Sequence, residues 1–287
     1  MKFLRWSVLI VYTLLATLPL LWMAVTSIKG REDTISQHAR FIPTADASTD
    51  AQRHTFVPTT ASFAALAEVH SGARHNFWSY LTNSVVIGAL STVASVLLGT
   101  LCAYGFSRFP VPGAKDWLFF VLSTRFMPPL AVVMPVLMMY RQLGLTGTQT
   151  GLVLLYTVFN LSLSIWLMKG FIDEIPRAYE EAAQIDGYSR WDAFIKIIVP
   201  KARTGMAVTA VFCLISAWNE YGFAMTLNSS GAITVPAYFA GLQGNIDGMP
   251  WPQVAAGGLL FVAPIVAFTI LVRRHLLRGM TFGTIKQ

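Results

Sequence analysis

Among the polar residues in stretches otherwise built to exclude water, five stand out: Arg125, Asn160, Ser216, Asn219 and Glu220. Polar groups in such a setting are costly and are often functional. In the run 204–226, Thr209, Cys213, Ser216 and Asn219 or Glu220 recur at steps of three to four, one face of one helix. Hydroxyls and amides so spaced would hydrogen-bond a polyhydroxylated solute moving along that face. The same stripe would serve equally for helix–helix packing, where small polar residues are common. Asn160, Ser162 and Ser164 form a second, weaker group in the run 150–171. Arg125 is the odd residue of its run and precedes Phe126-Met127-Pro128-Pro129. A bare charge at mid-bilayer costs about 2.5–3.5 kcal/mol on insertion scales, so it should face protein or water. Glu220 is a candidate partner, either in a structural clip or along a solute route. Pro128 and Pro129 should break or kink the helix, and broken helices near the midplane mark solute routes.

A second constellation lies outside the apolar runs. The segment Tyr179-Glu180-Glu181-Ala182-Ala183-Gln184-Ile185-Asp186-Gly187, continuing to Ile197-Ile198-Val199-Pro200, is polar and amphipathic and sits between two long apolar runs. Pro176 suits a helix start, Arg177 to Ile185 are good helix formers, and Gly187 permits the φ > 0 turn that ends a helix. Ser189 can cap a second short helix, with Asp192 reaching back. Trp191, Phe194, Ile195 and Ile198 form an apolar stripe along it, and Pro200 is expected to stop it before the next run. Two short helices and a turn make a rigid knob that can seat in a cleft of a soluble partner. Glu181 and Asp186 would supply polar contacts there, with Ala182, Ala183 and Gly187 allowing close approach. Otherwise, this is an ordinary loop whose carboxylates face solvent.

The elements that position these residues follow from composition. The chain is 54% hydrophobic and 12% charged, about half the charged fraction of a soluble domain. That makes it an all-α, polytopic membrane protein. Runs of roughly 20 helical residues, enough to cross the hydrocarbon core, lie near 8–28, 80–105, 115–139, 150–171, 204–226 and 253–273. The first follows Lys2 and Arg5 but is too long for a signal-peptide core and lacks a cleavage site. The short segments 106–116, 169–203 and 273–287 carry Arg108, Lys115, Lys169, Arg177, Arg190, Lys196, Lys201, Arg203, Arg273, Arg274, Arg278 and Lys286. By the positive-inside rule both termini are then cytoplasmic. The net charge of +7 follows these loops, which argues against a nucleic-acid partner.

The loop 29–79 on the opposite side holds Arg53, Arg74, His38, His54, His70 and His75. No histidine pair has a spacing typical of metal ligands, and the expectation is a solvated loop with weak local structure. Cys102 and Cys213 fall in apolar runs and are expected to be small buried hydrophobes. The whole chain is expected to be a single transmembrane domain, 1–287, with a coupling loop at 172–203 and a cytoplasmic tail at 274–287.

The polar segment resembles the EAA loop of bacterial importer permeases: E-A-A, three residues, G, about nine residues, I-x-L-P. Glu181-Ala182-Ala183, Gly187 and Ile197-Ile198-Val199-Pro200 fit that spacing, with Val199 in the leucine place. More widely the chain is similar to the maltose-type permease subunits of carbohydrate ABC importers. Asn83-Ser84 resembles that family's N-S start to the second span, Trp218-Asn219-Glu220 its W-N-[DE] element, and Arg278-Gly279-Met280-Thr281-Phe282-Gly283 its G-L-T-x-G ending. Lys201-Ala202-Arg203-Thr204-Gly205 replaces the usual proline after the motif, and the loop 29–79 is long for the family.

The resemblance implies six transmembrane helices in the bacterial inner membrane and a sugar or small polyol as solute. It also implies an ABC ATPase dimer docked on the EAA loop, a second and different permease chain, and an extracytoplasmic solute-binding protein. ATP and Mg²⁺ would belong to the ATPase, because this chain has no G-x-x-x-x-G-K-[ST] phosphate loop. No catalytic set is visible, so the chain is not expected to be an enzyme. The rival class is an ion-coupled carrier, which would want an inverted repeat and intramembrane carboxylates; Glu220 is nearly the only one.

Overall fold

The computed structural model describes residues 2–36, 38–45, 54–69, 75–228, 231–242 and 248–281. Arg53, His70, Arg74, Phe282, Gly283 and Lys286 lie outside them. The helices are α1 (Lys2–Ser27), α2 (Arg31–Thr34), α3 (Ala61–Ala65), α4 (Phe77–Arg108), α5 (Ala114–Ser123), α6 (Pro129–Gln142), α7 (Gln149–Asp173), α8 (Ala178–Ile185), α9 (Arg190–Ala193), α10 (Val199–Trp218), α11 (Gly222–Leu227), α12 (Val235–Gly241) and α13 (Trp251–Thr281). Within the described residues, five helices are long and apolar enough to cross a membrane: Arg5–Ser27, Phe77–Arg108, Gln149–Asp173, Arg190–Trp218 and Trp251–Arg273. A sixth candidate is the pair Ala114–Phe126 and Ala131–Gln142, bent by 94°.

The chain divides into two compact units, Met1–Thr82 with Val235–Pro264 and Asn83–Thr234 with Ile265–Gln287. In the first, α1 presents exposed Leu, Val, Ile and Trp side chains along nearly its whole length, as a helix facing lipid does. The loop after it has more structure than its composition suggests. Ile42 and Pro43 pair in parallel with Thr55 and Phe56, and Phe56 and Leu66 are buried. The apolar residues scattered among the Ala, Ser and Thr are what order it. His54 Nδ1 lies 2.9 Å from the Ala39 carbonyl oxygen, and no group of three potential metal ligands gathers among the described residues. Lys29 is buried with its ammonium 4.4 Å from the Trp22 ring centre; burial pushes its pKa down, against the opposing charge of Asp33.

In the second unit α7 is the axis. Thr148 starts it by accepting from the Gly151 N–H at 3.0 Å, the side-chain cap that a first turn needs. α10 packs along α7, and Ala103, Tyr104, Met168, Ile172, Phe194, Ile198 and Ala202 form a buried cluster at one end of α4, α7 and α10. Asn83 lies in the second turn of α4, its amide donating to the Ile233 carbonyl at 3.0 Å and its oxygen accepting from Gln149 at 2.7 Å. Of the cysteines only Cys213 is buried; Cys102 is exposed beside exposed Leu98 and Leu101 on the outer side of α4.

Helix α4 approaches α7 through Gly99. A Cβ there would lie 2.1 Å from Ser164 Oγ and 3.1 Å from the Ser164 carbonyl carbon. Small residues let membrane helices close to such distances. Gly99→Val is expected to destabilise the folded chain by about 2 kcal/mol, the overpacking range. Thermal unfolding in detergent would show it as a lower transition than for the parent chain.

Candidate functional site

The polar segment forms the knob. Helix α8 ends in a left-handed turn at Gly187, φ +87°. The Tyr188 N–H reaches the Ala183 carbonyl at 3.0 Å and the Gly187 N–H that of Gln184 at 3.1 Å, the paired closure of a Schellman cap. Ser189 then caps α9, its hydroxyl accepting from the Asp192 N–H at 3.0 Å. The end of α8 and the start of α9 are thus set by local chemistry.

Glu181, Ala182, Asp186 and Gly187 are exposed, with Ile185 beside them 87% exposed. Ala183 is not on that surface. It is 2% exposed and faces the chain's own interior, so close approach from outside falls to Ala182 and Gly187. The apolar stripe of the second helix divides as well: Phe194 and Ile198 are buried, whereas Trp191 and Ile195 are exposed.

Pro200 does not stop the helix. It occupies the first turn of α10, and the helix runs from Arg190 to Trp218 through a π-turn at Phe194–Ile198. The π-turn shifts the hydrogen-bond register just where a prolyl nitrogen has nothing to donate. Pro200 itself is exposed.

The residue that spacing alone does not mark is Glu180. One step from Glu181, it turns inward and is 6% exposed. Its carboxylate is ion-paired with Arg108 at the end of α4, and each side chain keeps 8% of its surface. The Tyr104 hydroxyl donates to Glu180 Oε1 at 2.7 Å. Arg108 also donates to the Ile175 carbonyl at 2.8 Å and to Ser107 Oγ at 2.9 Å. Two sequence signals do point here. Tyr104 and Arg108 are i, i+4 on one face of α4, and Glu180 and Ala183 are i, i+3 on one face of α8.

The intramembrane candidates meet at two helix breaks. The first follows α5: a 3₁₀ turn holds Arg125, and Met127 and Pro128 are extended, at ψ 125° and 127°, before α6 begins at Pro129. The second separates α10 from α11, where Glu220 accepts from the Phe223 and Ala224 N–H groups at 2.8 and 3.2 Å. Both breaks face the middle of α7 and line with it a partly open cavity of about 190 Å³, whose walls include Arg125, Tyr156, Asn160, Ser216 and Glu220.

Four of the five intramembrane candidates therefore share one cavity. Asn219 is the exception: it is exposed, and its amide turns back to the Ile215 carbonyl at 2.9 Å. Thr209 and Cys213 are fully buried, so the lower part of the α10 stripe packs and only its upper end lines space. Ser162 and Ser164 are buried as well.

Arg125 and Glu220 do not pair. The Tyr156 hydroxyl donates to Glu220 at 2.5 Å, which together with the α11 backbone satisfies that carboxylate. Arg125 donates instead to the Phe159 carbonyl at 3.2 Å and to Ser216 Oγ at 3.3 Å. Among the described residues no carboxylate lies within ion-pair distance of it. Asn160 donates to the Cys213 carbonyl at 3.2 Å, while its buried Oδ1 has no partner among the described residues. Among those residues the cavity thus holds a guanidinium without a counter-ion and an amide oxygen without a donor.

Residues 95–282, which carry the knob, both breaks and the cavity, match the binding-protein-dependent transport system inner membrane component family. The chain belongs to that family. This inner membrane component is 33% identical over 268 residues to a probable ABC transporter permease protein, y4oR, of Sinorhizobium fredii, covering 93% of this chain and 90% of that one. It is 34% identical over 232 residues to the trehalose transport system permease protein SugB of Mycobacterium tuberculosis, covering 80% and 84%. Its fold resembles that of a solved bacterial ABC transporter involved in the import of the acidic polysaccharide alginate, with a TM-score of 0.72, 20% identity and 95% of each chain covered. The inner membrane component is a multi-pass helical membrane protein of the importer-permease fold.

Proposed function

We propose that the whole chain acts as a single permease domain forming half of the translocation pore of an ATP-driven importer for a sugar or small polyol. In this reading the segment Ala178–Pro200 docks on an ABC ATPase dimer, which carries ATP and Mg²⁺ and supplies the energy by contact. Both termini then lie in the cytoplasm, a second and different permease chain completes the pore, and an extracytoplasmic binding protein delivers the solute. The similarity to the trehalose permease SugB supports a carbohydrate solute, and the cavity's donors and acceptors suit hydroxyl groups. Its volume is below the roughly 300–1,000 Å³ of complete small-molecule pockets, as one wall of a shared path would be.

The observation that carries the coupling role is the capped knob, which holds Glu181, Ala182, Asp186 and Gly187 outward on a locally rigid frame. Gly187→Asp adds a Cβ at positive φ, which strains the turn, and places a carboxylate on the proposed contact. It is expected to lower solute uptake about thirtyfold, the effect of losing a central interface residue. Uptake in cells and co-purification of the ATPase in mild detergent are the readouts. Retention of both at parental levels would remove the docking assignment.

A further inference from the structure

The docking surface and the buried face of α8 are different sets of residues, and the side-chain ties of the buried Glu180 run to α4. Glu180 Oε1 accepts from Tyr104 at 2.7 Å, and its other oxygen is ion-paired with Arg108. Both partners belong to the last turns of α4, 76 and 72 residues away in sequence. The tie continues on either side of Glu180. Arg177, just before α8, donates to the Ser107 carbonyl at 2.9 Å. Ser107 Oγ donates to Asp173 at the end of α7, at 2.5 Å. Arg190, opening α9, lies over the Phe109 ring at 5.6 Å. The knob follows α7 and precedes α10 in the chain, and Lys201 of α10 lies 3.7 Å from the Tyr179 ring centre, yet the ties of Arg177, Glu180 and Arg190 run to residues 104–109, in the last turns of α4 and just past its end. Beneath them the apolar cluster of Tyr104, Ile172, Phe194 and Ile198 fills the space between the three helices.

Burying a charged pair is a poor route to stability, since apolar residues of similar volume serve as well or better. What such a pair does is fix direction and distance: a fork-shaped guanidinium holds a carboxylate in one geometry. We infer that Arg108, Tyr104 and Glu180 form a clamp that makes α4 move with the knob, so that force received at α8 is delivered to α4 as well as to the covalently joined α7 and α10. Arg108 and Glu180 are positioning residues on this account and touch neither solute nor ATPase. The inference rests on the proposed docking of an ATPase at Ala178–Pro200 and adds the route by which that docking moves the spans.

The test replaces the clamp without leaving a buried charge: Tyr104→Phe, Arg108→Met and Glu180→Met together, in the complete importer reconstituted in proteoliposomes. The expected result is a transporter with parental ATPase co-purification, uptake lowered about tenfold, the scale of an ordinary coupling free energy, and ATP hydrolysis that no longer responds to solute-loaded binding protein. Tyr104→Phe alone removes one hydroxyl and no charge. It is expected to lower the ratio of solute moved to ATP hydrolysed about fivefold, the worth of one such hydrogen bond, at unchanged protein level. That second variant decides the matter if the triple replacement does not assemble. Parental uptake and a parental solute-to-ATP ratio in the assembled variants would overturn the clamp and leave the docking proposal intact. Failure of the parental chain to retain any ATPase would instead overturn the docking proposal on which the clamp rests.

Discussion

Glu180→Ala alone is expected to destabilise the chain by about 3–5 kcal/mol, the range for removing one partner of a buried ion pair. The reason is what stays behind. Arg108 keeps 8% of its side-chain surface and loses its carboxylate, and the Tyr104 hydroxyl loses its acceptor. Arg108 retains the Ile175 carbonyl at 2.8 Å, which places the loss toward the lower end of that range. The neighbouring Glu181→Ala is the control. Glu181 is exposed and makes no ion pair among the described residues, so its removal is expected to change stability by less than about 0.5 kcal/mol. Thermal unfolding of the two variants in the same detergent makes the comparison. Equal transitions for both would mean that the pair does not form.

The second large effect is expected at Arg125, and on activity rather than stability. A charge inside a membrane span costs about 2.5–3.5 kcal/mol, and this one has no ionic partner among the described residues to offset it. Its two hydrogen bonds, at 3.2 and 3.3 Å, are at the long end of the normal range. Arg125→Met should therefore insert and fold at least as well as the parent. Uptake should nevertheless fall by at least about tenfold, because the guanidinium is the strongest donor lining the proposed solute path. Uptake of a labelled disaccharide per mole of transporter, set beside the unfolding transition, separates the two quantities. A lower transition with unchanged uptake would make Arg125 a structural clip and remove it from the path.

Tyr156 and Glu220 show why intramembrane polar residues are hard to interpret one at a time. Glu220, at the break after α10, is a candidate for solute contact or ion coupling, yet its carboxylate already holds a tyrosine hydroxyl and two backbone N–H groups. It caps α11 and shapes the cavity wall. The candidate pairing with Arg125 does not occur: both carboxylate oxygens are taken by Tyr156 and the first turn of α11. The open capacity in the cavity belongs to Arg125 and Asn160 instead.

Much of this architecture was legible before any coordinates, wherever the controlling interactions span only a few residues. Gly187 ends α8 and Ser189 starts α9 because a positive-φ turn and a side-chain cap are chosen by the residues themselves. Pro128 and Pro129 break the third apolar run because two consecutive prolines leave no helix to continue. The apolar runs themselves follow from hydropathy, since a bilayer admits few alternatives. Other features were decided only when the helices came together. Glu180 and Glu181 are chemically identical neighbours; a rotation of about 100° between successive helix residues turns one toward Arg108 and the other toward solvent. Ala183 is buried and Ala182 is not for the same reason. Cys102 faces outward and Cys213 inward because helix packing distinguishes the faces of two equally apolar runs. Pro200 continues a helix it was expected to end, because the π-turn before it absorbs the missing N–H. Local chemistry sets the end of α8 and the start of α9; which face of α8 is inside depends on partners 76 and 72 residues away, and that only packing decides.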